Sequence, residues 1–310
     1  MVKNSFVLAL QNESLQMLRD VEKGDFHNHI ARGGTIEKYR DEFGIPDFEK
    51  PLKFDGYNGM ERWYGANIRK YFDNTVYLQR IKMALQHMVS DGIKIAVITY
   101  GSKELSLFDS YNEFVETQKD IFNIYAPNMQ LIPEVGINTN ERPDEIERGI
   151  TDILKLNFFK SIDIHGPEMR NPCVYKKIYS RAYAYGLKLR AHVGEIGEPE
   201  VIKIALKELE LEEINHGNKS SLDLSVIKEI LRRKIRVNLC PYSNIYLGIY
   251  NNLKEHPVRK LYDYGINLTI GTDDMLIFNK SISQIFLDLY QQQVFSSQEL
   301  DRIRNNALEF

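Results

Sequence analysis

Seven histidines stand in this chain of 310 residues, and four of them fall where short apolar runs give way to polar residues. His27 and His29 form an H-x-H pair after Gly24-Asp25-Phe26. His192 closes LKLRAH, with Glu195 shortly after it. His216 closes EINH ahead of Gly217, and another apolar run ends in Thr272-Asp273-Asp274. Alternate residues of a β-strand point to the same side, so His27 and His29 can meet one metal ion together. A third imidazole from His192 and a carboxylate from Asp273 would complete a protein cage. Imidazole plus carboxylate suits zinc, with iron or cobalt as alternatives. Such a centre keeps a position for water and activates that water near neutral pH.

Each piece alone is unspecific. An isolated H-x-H in a strand is usually structural, Asp-Asp after a strand is usually a polar loop, and His-Gly alone reads as a core histidine before a turn. The joint occurrence carries the weight, because the four motifs follow one another at strand ends in a fixed order. His87 and His256 read as exposed or helix-end histidines, and His165 ends a strand without an obvious partner. Cys240, in the apolar context VNLCP, reads as a packing residue rather than a nucleophile, and Ser243 and Asn244 read as residues that fix a loop. The chain lacks H-x-E with P-C-x-x-C, which excludes the cytidine-deaminase type of zinc site.

Ligands so far apart in sequence need a scaffold that brings strand ends to one face. Eight short apolar runs are present, at 24–30, 93–100, 130–137, 158–165, 187–193, 211–216, 234–240 and 266–272. Their lack of strict alternation suggests strands buried on both faces, as in parallel sheets. The segments between them read as helices. Residues 76–90 place Leu78, Ile81, Leu85 and Met88 at helical spacing and stop at Asp91-Gly92. Residues 222–233 follow a Ser-Ser start that can cap a helix, and 258–264 run from Pro257 to Gly265. Eight strands alternating with helices predict an α/β fold, a closed (β/α)8 TIM barrel forming a single domain over 1–310. No strand is followed by GxGxxG, which argues against an open dinucleotide-binding sheet. The aromatic-rich stretch 36–71 is expected to be a lid-like insertion after the first strand.

Composition narrows the function classes. Lys plus Arg total 40 and Asp plus Glu 43, a net charge of −3 that gives no basic field for a nucleic-acid backbone. No apolar run reaches the ~18 residues of a membrane helix. The first residues show no small-residue cleavage pattern and read as the start of a helix or strand. With two cysteines, Cys173 and Cys240, a disulfide framework is not expected and a cytoplasmic location is. The expected partner is a small molecule, not nucleic acid or membrane.

The order GDFHNH, DIHGPE, AHVGE, NHG, CPYSN and GTDD, with the closing RNNALEF, resembles the adenosine deaminase family of the amidohydrolase superfamily. The resemblance implies a (β/α)8 barrel with one zinc ion and hydrolytic deamination of an adenine nucleoside or nucleotide, an activity of purine metabolism. It implies His27, His29, His192 and Asp273 as metal ligands. It implies Glu195 as the acid that protonates ring N1, and His216 as the residue that orients the attacking water and assists its deprotonation. Asp274 would stand beside the attacked carbon and bind the water or purine N7, and the backbone of Gly166 would approach the purine. Metal-dependent hydrolysis of another C–N or ester bond is the alternative, and Glu195 argues against it. The chain departs from the family in two places. Members that bind nucleosides continue H-x-H-Leu-Asp-Gly, and that aspartate grips the ribose 5′-hydroxyl; here Ala31 replaces it and Arg32 follows. Arg32 is therefore expected to meet a phosphate. After the second strand AVITYGSKEL replaces the family's Tyr-x-Glu-x-Arg run, and Trp63 with Tyr64 is expected to stack on the base, with core packing or oligomer contact as the alternative.

Overall fold

The structure, a computed structural model, describes residues 4–167 and 169–310, so Glu168 of the HGPE motif lies outside the described residues. Eight strands form in the predicted places: β1 (Lys23–His29), β2 (Ile93–Gly101), β3 (Gln130–Asn138), β4 (Ser161–His165), β5 (Lys188–Val193), β6 (Glu213–His216), β7 (Arg236–Leu239) and β8 (Asn267–Ile270). They are parallel and lie side by side in sequence order. A parallel bridge between Asn28 and Asp273 brings the end of β8 back to β1, giving the (β/α)8 TIM barrel. The predicted runs are longer than the strands at several ends. Phe158 and Phe159, for instance, are buried in the core ahead of β4.

Local signals explain the helices. In Tyr77–Ser90 the residues Tyr77, Ile81, Ala84, Leu85 and Met88 are buried, an apolar stripe at helical period that faces the barrel. Pro143–Lys155 opens on Pro143 with Asp144 and Glu145 in its first turn and Lys155 in its last, matching the helix dipole. The helix predicted at 222–233 runs over Leu224–Arg233, and its cap is Asp223, not the Ser-Ser pair. Asp223 accepts a hydrogen bond from the Ser225 backbone N–H, while Ser220 and Ser221 lie in a 3-10 turn. The N-terminal residues form a helix, Ser5–Gln11, capped by the side chain of Asn4. Among the described residues no helix is long and apolar enough to cross a membrane.

The aromatic segment after β1 forms the helices Ile36–Phe43 and Gly56–Asn67. Tyr39, Phe54, Met60 and Tyr64 build an apolar cluster with Leu247 and Phe278, apart from the main core. Leu247 and Phe278 follow β7 and β8, so the segment rests on the end of the barrel where the strands terminate.

Inside the barrel the filling is polar. Arg190 is fully buried. It donates to Glu134 of β3, to Glu213 and Asn215 of β6 and to the backbone carbonyl of Phe26 in β1. Thr99 of β2 and Ser161 of β4 donate to Glu134, each at 2.8 Å. Asn238 of β7 donates to Glu213 at 2.9 Å and accepts from Thr269 of β8 at 2.6 Å. One network thus touches all eight strands. Burial pushes the Glu134 carboxyl up to about 7 against the pull of Arg190. Burial also opposes the charge of Glu213, yet Arg190, Arg236 and Lys188 together hold that carboxyl below its usual range. A buried guanidinium with this many acceptors is balanced; without it, two carboxylates are stranded in a medium that solvates them poorly. Arg190→Leu is expected to destabilise the fold by about 3–5 kcal/mol, read as a lowered urea midpoint.

Candidate active site

The strand ends converge as the sequence requires. His27 and His29 point inward from β1, His192 from β5 and His216 from the end of β6. His27 Nε2 lies 3.7 Å and His29 Nε2 3.5 Å from Asp273 Oδ1, and His216 Nε2 lies 3.9 Å from Asp273 Oδ2. The rings of His27 and His192 are 4.4 Å apart between centroids. His27, His192, His216 and Asp273 can offer atoms within 4.8 Å of one another, and His29 with Asp273 and Asp274 forms a second, overlapping group. Asp273 is the member common to both.

Backbone geometry aims these groups. The Asp273 N–H donates to His27 O at 2.9 Å and the His29 N–H to Asp273 O at 3.2 Å, so the barrel seam itself fixes the carboxylate. His216 and Asp273 both adopt left-handed backbone, with φ of 64° and 58°. Non-glycine residues pay for that conformation, and such strain persists where the surroundings over-determine it. Asp25 supports the seam from below by accepting from the Thr272 hydroxyl at 2.5 Å.

The donor set fits a metal ion. Both ring nitrogens of His27 are buried without a hydrogen-bond partner. Burial, helped by the neighbouring imidazoles, holds His27 and His29 well below the usual histidine range, and burial with Arg190 brings His192 to about 3. Neutral imidazoles are what a metal needs. His192 Nδ1 lies 2.8 Å from Asp163 Oδ2, which leaves Nε2 for the cluster. Asp163 is held in turn by Asn215 Nδ2 at 3.0 Å. Sequence reading passed over Asp163, although it shares the inward face of β4 with His165 at period two.

A cavity of about 320 Å³ opens over the cluster and includes Glu195, His216, Asp274 and Gly166 in its lining. Glu195 is buried beside His216, with Oε1 3.4 Å from His216 Nδ1. Asn244 Nδ2 donates to the same Oε1 at 2.8 Å. The expectation that Asn244 merely fixes a loop is therefore corrected: it is bonded to the candidate acid. Gly166 has φ of 110°, and a Cβ there would come within 2.9 Å of the Asn138 side chain. His165 also lines the cavity, with its ring 5.0 Å from that of His29. Cys240 is buried and its thiol pushed well up by burial, in keeping with a packing role.

Two expected substrate contacts already have partners within the protein. Arg32 does line the cavity, but its guanidinium is already engaged: Nη1 lies 2.7 Å from Asp274 Oδ2 and 2.7 Å from Glu61, with the Tyr64 ring 4.6 Å away. Trp63 lies outside the cavity lining; it packs on Phe48 and Phe54, and its indole N–H donates to Glu49 O at 3.3 Å. Helical period puts Met60 and Tyr64 on the cavity side of Gly56–Asn67 and turns Trp63 away. Sequence reading also missed Glu104, which lines the cavity and accepts from the Tyr77 hydroxyl at 2.6 Å; burial raises its pKa. No local signal marks it, since its partner is 27 residues away.

Asp163→Asn is expected to weaken metal affinity by roughly ten- to a hundred-fold while the fold is retained, measured by competition with a chromogenic chelator.

Known proteins resemble this chain in sequence and in fold. The family model for adenosine deaminase matches residues 131–310. A putative adenosine/adenine deaminase of Treponema pallidum is 28% identical over 285 residues, covering 89% of this chain and 94% of that protein. The crystal structure of an adenine deaminase from Arthrobacter aurescens superposes with a TM-score of 0.80 at 20% identity, over 92% of each chain. An amidohydrolase from Burkholderia ambifaria, solved with bound Zn, gives a TM-score of 0.74 at 18% identity, over 96% of this chain and 87% of that one. At these identities the two structures show a common fold.

Proposed function

Because the chain belongs to the adenosine deaminase family, we propose that it is a zinc-dependent hydrolase that replaces the 6-amino group of an adenine compound by oxygen and releases ammonia. The observation that carries the reading is the gathering of His27, His29, His192, Asp273, Glu195 and His216 at the rim of one barrel, under one cavity.

His27, His29, His192 and Asp273 would hold the metal. When bound, a zinc ion supplies the positive charge that makes water nucleophilic near neutral pH. The neighbour with bound Zn supports that choice of metal. His216 faces Asp273 through Nε2 and takes up the proton that water loses. Glu195 gives a proton to purine N1, because an aromatic ring accepts a nucleophile only as its nitrogen is protonated. The carboxyl that does this is buried beside His216. Asp274 lies beside the attacked carbon, steadied by Arg32. The backbone of Gly166 comes close to the ring because no side chain intervenes.

The cavity favours a base or nucleoside over a nucleotide. Arg32 is paired with Asp274 and Glu61, Arg69 with Glu61, and Arg80 donates to the Ala31 carbonyl. Asp73 and Glu104 line the same wall. Among the described residues Arg32 and Arg69 of this wall are already paired with carboxylates, and a dianionic phosphate would also lie near Asp73 and Glu104. Residues 36–71 act as the lid of this cavity, contributing Tyr57, Met60, Tyr64 and Arg69 to its wall. Both cysteines are free thiols, which supports work in the reducing cytoplasm.

Zinc-loaded protein is expected to release ammonia from adenine or adenosine faster than from AMP or ATP, and to stop when the metal is chelated. No turnover of any adenine compound sinks the reading. Glu195→Gln should abolish turnover while zinc content stays constant. Arg32→Ala should lower kcat by roughly ten-fold or more on base and nucleoside alike, since the lost contact orients Asp274. A loss confined to AMP would restore the phosphate role instead.

A further inference from the structure

His256 is buried just ahead of the helix Val258–Asp263, and none of the steps above uses it. Its two ring nitrogens are engaged in opposite senses. The backbone N–H of Val258 donates to Nδ1 at 3.1 Å. A backbone N–H is a donor in every protonation state, so Nδ1 is the acceptor and a neutral ring carries its proton on Nε2. Burial keeps the ring neutral by pushing its pKa down to about 3. Nε2 lies 3.0 Å from Asn244 Oδ1, to which it donates.

That contact decides which way the Asn244 amide faces. Asn218 Nδ2 also lies 2.7 Å from Asn244 Oδ1, but an amide–amide contact survives if both groups flip together. The His256 contact does not, because its polarity is set by the main chain. With Oδ1 turned to His256, Asn244 Nδ2 is turned to Glu195 Oε1, 2.8 Å away, and to His216 Nδ1 at 3.4 Å. A flipped amide would set an oxygen against the carboxylate.

We propose that His256 is a positioning residue for the acid: through Asn244 it directs a donor onto Glu195 Oε1. The inference rests on the deaminase reading of Glu195. It also links the HPVRKLYDYGI segment to the reaction centre by one unbroken line of hydrogen bonds, from the Val258 N–H to the acid.

The test compares wild type, His256→Phe and His256→Gln on the best adenine substrate, with zinc content and melting temperature as controls. Phenylalanine keeps the ring shape and loses both bonds; glutamine can accept from Val258 and donate to Asn244. H256F is expected to lower kcat by roughly ten- to a hundred-fold with KM little changed, and H256Q to recover most of the loss. The same Phe substitution made in Asn244→Ala protein should have no further effect. Equal kinetics in H256F and wild type, or equal losses in H256F and H256Q, overturn the proposal. Imidazole ¹⁵N spectra of the wild type, with the H256Q spectrum assigning the resonance, give a readout that needs no folded Phe variant. The Nε2–H tautomer is expected, and an Nδ1–H tautomer overturns the proposal while leaving the deaminase reading intact. Wild type inactive on every adenine compound overturns that reading, and the acid's role with it.

Discussion

Arg190 sits at the centre of the barrel with no water to solvate it, and the arrangement of the strands follows from the need to satisfy it. Its guanidinium donates to β1, β3 and β6 from β5, and the carboxylates it meets are tied onward to β2, β4, β7 and β8. An apolar filling would tolerate small slips between strands. A charged filling does not, because a slip leaves charge without a partner. The Phe26 carbonyl it grips immediately precedes His27, and Arg190 itself stands two residues before His192. The layer that locks the barrel therefore also sets the height of His27 and His192, two of the candidate metal ligands.

Above that layer the rim is built with tension rather than slack. His216 and Asp273 leave their strands through left-handed backbone, and Asp273 is bonded by its main chain to both sides of His27–His29. Asp163 Oδ2 stands 2.8 Å from His192 Nδ1, while Asn215 donates to the other oxygen of the same carboxylate. Side chains in such positions have few alternative rotamers, so the site is organised before any ligand arrives.

Much of this was legible in the sequence because it is periodic. Strand ends, the H-x-H pair and the order of the polar motifs depend on residue spacing, and all eight strands and the cluster of histidines with Asp273 appear where spacing puts them. What was not legible depends on partners far away in the chain. Arg32 looks free for a phosphate until Asp274 and Glu61 are brought to it from opposite directions. Trp63 and Tyr64 are neighbours in sequence, and only the docking of their helix decides which faces the cavity. Asn244 has a polar side chain like any loop asparagine; its link to Glu195 spans 49 residues. Asp223 took the capping role from Ser220 and Ser221 because the chain had not yet turned into the helix at the serines.

The bridge made by Arg32 has a meaning for how this barrel can diversify. Glu61 belongs to the aromatic segment, Asp274 to the loop after β8, and Arg32 to the turn after β1, yet one nitrogen joins all three. Segment 36–71 is therefore not an interchangeable cassette. A graft from a relative that lacks an acid at the Glu61 position would leave Arg32 with a different charge balance and move its pull on Asp274. The Glu61 contact of this segment must change in concert with the rim.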